Sequence, residues 1–91
     1  MQYKKRKMTN DQIEKFLGAY LDKAPVNIFF KSRSTIKGFF IKTGDYNELK
    51  SKNLWRIVSD AKLKEYKASK DTSLARIFNG TEITRLGAIP Q

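Results

Sequence analysis

Ninety-one residues are enough for one small domain with a single modest core. Apolar residues make up 40% and charged residues 31%, a balance that argues against a membrane or fibrous protein. The absence of Cys and His excludes disulfides, thiol chemistry, zinc sites and imidazole catalysis, and 19 Lys and Arg against 9 Asp and Glu leave +10, a charge that draws polyanions and makes nucleic acid the first partner to consider.

Residues 1–8 read as a basic disordered tail: Lys4, Lys5, Arg6 and Lys7 crowd a segment with nothing to bury. The arm either touches a partner or is simply solvated. No signal-peptide pattern opens the chain, and its longest apolar runs are far too short to span a bilayer. The lack of Cys suits a reducing compartment, so a cytoplasmic location is expected.

The stretch TNDQIEKFLGAYLDKAP reads as one helix. Thr9 and Gln12 fit a capping box, in which each side chain satisfies the other residue's free backbone N–H. Ile13, Phe16, Leu17, Tyr20 and Leu21 form one apolar stripe on a 3.6-residue period, a pattern for packing rather than ligand binding. Pro25 stops the helix.

From Pro25 the period changes to two. VNIFFKS alternates Val26, Ile28 and Phe30 against Asn27, Phe29 and Lys31, and TIKGFFIKT alternates Ile36, Gly38 and Phe40 against Lys37, Phe39 and Ile41. Gly38 suggests a sharp bend in a small barrel, and GDYN is turn chemistry. NLWRIVS gives a third strand, and SLARIFNG and TEITRLGAI give the last two. The segment DAKLKEYKASKDTS between them suits either a short helix capped by Asp60 or, the reading preferred here, an elongated basic hairpin. Residues 23–70 carry twelve basic and four acidic residues, so much of the excess charge lies here.

The expected fold is mainly β with one N-terminal α-helix and five short, bent strands closing into a small barrel, which limits exposed edges. Residues 9–91 form the single domain, with an extended basic segment over about 50–72.

The order helix, PVNIFF, IKGFF, RIFNGTEI resembles the Sm-like family, and within it the Hfq family of bacterial RNA chaperones. Phe16-Leu17 leads into Pro25-Val26 at nearly the Hfq interval, and PVNIFFKSRSTIKG matches the Hfq pattern without a gap. Asp45 is similar to the Asp of the first Sm motif, displaced by one residue. Ile77-Phe78-Asn79-Gly80-Thr81-Glu82-Ile83 fits the second Sm motif in its archaeal and eukaryotic form.

That resemblance implies an Sm-like or SH3-like barrel whose fourth strand joins the fifth strand of a neighbour, giving homo-oligomeric rings of six or seven subunits. It also implies single-stranded RNA as partner, held on a basic ring surface by an RNA chaperone or post-transcriptional regulator. An enzyme is not expected, because the chain has no paired carboxylates at a suggestive spacing, no nucleophile–base set without His or Cys and no Gly-rich phosphate loop, and no cofactor or metal is expected. The Lys-His pair that Hfq places at its pore corresponds to Gly80-Thr81, the base-stacking Arg of the Sm motif to Asn79, and its base-stacking aromatic to Asn47, with Tyr46 one place earlier. Phe29 corresponds to a stacking Tyr on the opposite face of the Hfq ring.

Single-strand binding needs a basic track plus planes on which bases stack. The candidate RNA-binding residues are therefore Phe29, Lys31, Arg33, Lys37, Lys42, Tyr46, Asn47, Asn79 and Thr81, together with the basic tail Lys4, Lys5, Arg6 and Lys7. Each aromatic can equally serve the core or a subunit interface, each Lys can be a solvated charge, and Asn79 to Thr81 can be a plain turn. A second reading keeps the same small barrel without the uridine pocket, as a protein-interaction, ribosome-associated or DNA-binding module.

Overall fold

The capping box at Thr9 and Gln12 forms as expected in the computed structural model, which describes residues 8–90. Thr9 Oγ1 accepts from the Gln12 N–H at 3.2 Å, and Gln12 Oε1 accepts from the Thr9 N–H at 3.0 Å. They open helix α1 (Asn10–Leu17), which is shorter than its apolar stripe. Tyr20 and Leu21 still pack on the core, but from a run of turns that includes Asp22 at φ 59°. The basic tail Lys4, Lys5, Arg6 and Lys7 lies outside the described residues.

Five antiparallel strands follow: β1 (Val26–Phe30), β2 (Ile36–Phe40), β3 (Leu54–Ser59), β4 (Arg76–Asn79) and β5 (Ile83–Ala88). Their order in the sheet is β4-β3-β2-β1-β5. The hydrogen-bonded sheet is open, with β4 and β5 as its edges. It nevertheless curls strongly. Phe30 of β1 and Phe78 of β4 are three strand spacings apart, about 14 Å in a flat sheet, yet their ring centroids lie 5.7 Å apart.

Alternation decides what each face carries. Val26, Ile28 and Phe30 point inward with Phe40, Trp55, Ile57, Ile83 and Leu86, and α1 adds Ile13 and Leu17. Each large apolar side chain buried here contributes roughly 1.5–3 kcal/mol. Gly38 sits on this inner face, where a Cβ would come within 2.6 Å of Ile57 Cγ2 and 2.7 Å of Ile28 Cδ1. The glycine makes room for two isoleucines crossing the curled sheet.

Two further helices replace predicted turn and hairpin. GDYN begins helix α2 (Tyr46–Ser51), which is tied to α1 by Asn10 Nδ2 donating to the Lys50 carbonyl and by a Lys50–Glu14 ion pair. The predicted β3–β4 hairpin extension is instead helix α3 (Asp60–Ser69), followed by a 3-10 turn (Thr72–Leu74). The physical reason is burial. Leu63 and Tyr66, three residues apart, meet Phe39, Ile41 and Val58 and form a second core on the outer face of β2 and β3. A strand could not have covered that face. No helix among the described residues is long and apolar enough to cross a membrane.

Candidate nucleic-acid interface

The predicted site residues fall on three separate surfaces. The first is the outer face of β1 and β5, which α3 leaves uncovered. Phe29 lies there half-buried, and its cross-strand partner Arg85 places its guanidinium carbon 4.1 Å from the ring centroid. Lys37, exposed on β2, pairs with Asn27 in the same row of the sheet. Phe29 is thus neither core nor isolated; it is one half of a cation–aromatic platform. Sequence reading missed Arg85, whose role depends on a register that only the fold supplies. Lys31 is exposed at the end of β1, and its backbone N–H donates to the Glu82 carbonyl.

The second surface surrounds α2. Tyr46 stands edge-on to Trp55 at 5.9 Å, with Lys42 Nζ 5.6 Å and Lys50 Nζ 5.8 Å from its ring centroid. Burial pushes the Tyr46 hydroxyl pKa up. Its ring packs against the core, which limits it as a base platform. Asn47 is exposed beside it. Asp45, expected from sequence to resemble the Sm-motif Asp, is bonded within the fold. It accepts from Arg56 Nη2 at 2.8 Å and Nε at 3.3 Å, and from the Thr43 hydroxyl. Those bonds, Arg56 first, lower its pKa from 3.8 to about 2.

The third surface is the turn from β4 to β5. Asn79 Oδ1 accepts from the Thr81 N–H at 3.0 Å and from its hydroxyl at 2.9 Å, so this pair caps the 3-10 turn Gly80–Glu82. Gly80 is buried against Asn53, the residue before β3. Its N–H donates to the Asn53 carbonyl at 2.7 Å, and a Cβ would fall 2.0 Å from Asn53 Oδ1. That oxygen already accepts from Trp55 Nε1 at 2.8 Å. The Asn-Gly-Thr signature is therefore a clasp between two loops.

Arg33 links the third surface to the inner one. Its guanidinium carbon lies 5.2 Å from the Phe30 ring centroid and 5.7 Å from that of Phe78. With Asn79 it lines a recess of about 410 Å³. The structure thus joins Arg33 to Asn79 and Lys42 to Tyr46, and separates both pairs from Phe29. The chemistry available on these surfaces is stacking and charge. Among the described residues no group of three or more acidic side chains is placed to hold a metal ion.

No family model, curated protein or solved structure matches the chain.

Proposed function

We propose that the protein is a cytoplasmic single-stranded RNA-binding protein of the Sm-like or Hfq-like type, an RNA chaperone or post-transcriptional regulator that holds RNA without covalent chemistry. The carrying observation is an excess of positive charge with cations set over aromatic rings. Five of the nine acids are engaged internally: Glu14, Glu48 and Asp45 by Lys50, Lys52 and Arg56, and Asp22 and Asp71 by the backbone N–H groups of Lys42 and Ser73. The three ion pairs cancel three acids against three cations and leave the excess of +10 intact, and cations such as Lys42 and Arg85 stand over aromatic rings, the combination that single strands require.

The finer reading is an Sm-like barrel assembled into a homo-oligomeric ring. Its support is that β4 and β5 are the two free edges of the sheet, which are the strands such a ring would join. β4 also carries Ile77, a large apolar side chain 48% exposed. The mutual engagement of Asn79 and Thr81 favours a binding mode that does without the uridine pocket at this turn.

The test is fluorescence anisotropy with short labelled A-rich and U-rich RNAs, competed by unlabelled single-stranded or duplex RNA. Single strands are expected to displace the probe and duplex to compete poorly. Equal competition by duplex RNA or DNA would favour a nonspecific basic module instead.

A further inference from the structure

A cleft of about 420 Å³ opens between the β1–β2 loop, the start of α3 and the inner side of β4. Three cations line it, Arg33, Lys62 and Arg76, and all three are exposed. Among the described residues none of the three is ion-paired. The nearest acids in sequence do not supply the missing charge. Asp60 is exposed at the first turn of α3, and Asp71 accepts from both the N–H and the hydroxyl of Ser73. The floor is apolar and partly aromatic, with Leu74 and Phe78. At the mouth, Ser59 occupies the N-cap position of α3 while its side chain caps nothing, so its hydroxyl has not been taken up by the helix end.

From this arrangement we infer that the cleft is the seat of one nucleotide unit of the bound RNA, with its phosphate held by Arg33, Lys62 and Arg76 and its base laid on Phe78 and Leu74. The inference rests on the RNA-binding reading and gives it a site. Like charges gathered on a partly enclosed surface raise the local concentration of anions, and the free oxygens of a phosphate accept charge-assisted bonds from Arg and Lys. The cleft falls within the range of about 300–1,000 Å³ typical of small-ligand sites. Arg33 already lies beside the Phe78 ring, so a base entering there meets a ring and a guanidinium plane together. Lys62 lines the cleft from the first turn of α3.

The experiment compares four single variants with the wild type: Arg33→Ala, Lys62→Ala, Arg76→Ala, and Lys64→Ala as a control on the same helix that does not line the cleft. All four side chains are exposed, so the fold is expected to survive, and circular dichroism checks this. Anisotropy with a short labelled RNA reads affinity. A second arm follows 15N–1H amide spectra during titration with adenosine monophosphate, uridine monophosphate or inorganic phosphate.

Each cleft variant is expected to weaken RNA binding about tenfold, the usual effect of losing a charge-assisted bond. Lys64→Ala is expected to weaken it by no more than about twofold, the loss of one diffuse charge. Nucleotides are expected to shift amides around 33, 59–62 and 73–78. Wild-type binding that the cleft variants lose no more than Lys64→Ala does would overturn the inference and leave the RNA-binding reading intact. Failure of the wild type to bind RNA would overturn that reading, and the inference with it. In that case, amide shifts with mononucleotides would assign the cleft to free nucleotides, and shifts with phosphate alone to an anion without a base.

Discussion

Asp45 and Gly80 show how a residue that looks functional in a motif can be held by structural demands. Asp45 is bonded by Arg56 and Thr43, and its pKa is lowered to about 2 from 3.8. A depressed folded value means that its contribution to stability is present above about pH 3.8 and is lost as pH falls towards 2. Asp45→Asn is therefore expected to lower stability most at neutral pH, where that contribution is fully present, and to match the wild type as pH falls towards 2, which flattens the acid limb as read by urea unfolding at each pH. An acid limb identical to that of the wild type would show that Arg56 does not hold this carboxylate. Gly80 fails for space rather than for φ, because a Cβ would meet Asn53 Oδ1 at 2.0 Å. Gly80→Ala must push that side chain off the Trp55 indole N–H, at a cost of about 1–3 kcal/mol. A lowered urea midpoint together with a shift in Trp55 fluorescence would report both effects; an unchanged midpoint would mean that the clasp is slack.

At the scale of elements, legibility followed the amount of apolar pattern each one carries. α1 was readable from its capping box and stripe, although its C-terminal end was not, because Tyr20 and Leu21 keep the helical spacing while the chain turns through Asp22. The strands were readable from their period of two. α2 could not be seen, since none of its six residues is buried and its start spells a turn. α3 buries only Leu63 and Tyr66, and KLKEYK alternates well enough to pass for a strand. The deciding fact was tertiary: Phe39, Ile41 and Val58 on the outer face needed a cover. Leu63→Ala is accordingly expected to destabilise the protein by about 2 kcal/mol, the lower end for a buried leucine. Urea unfolding followed by far-ultraviolet dichroism checks this, and a loss well below 1 kcal/mol would mean that α3 rests loosely on the sheet. The candidate site was legible only as residue types. Phe29 and Arg33 were named from sequence, but their partners Arg85 and Phe78 are set by strand register and sheet curl.

For the whole molecule, the charge was legible from composition and its consequence from the structure. The three ion pairs take one acid and one base each, so pairing leaves the excess of +10 uncancelled. If the edges β4 and β5 meet between copies, light scattering after size exclusion is expected to give roughly six or seven times 10.6 kDa, resistant to high salt and free of nucleic acid. A clean monomer would remove the ring while leaving the basic surfaces in place. The most direct measurement is the affinity for a short single-stranded RNA across about 50–200 mM salt. The expected result is a linear fall of log affinity with log salt at a slope of about −0.7 per phosphate contacted, with a base preference that survives at the upper end through stacking. Affinity that is absent at low salt, or that shows no dependence on salt, would contradict the account.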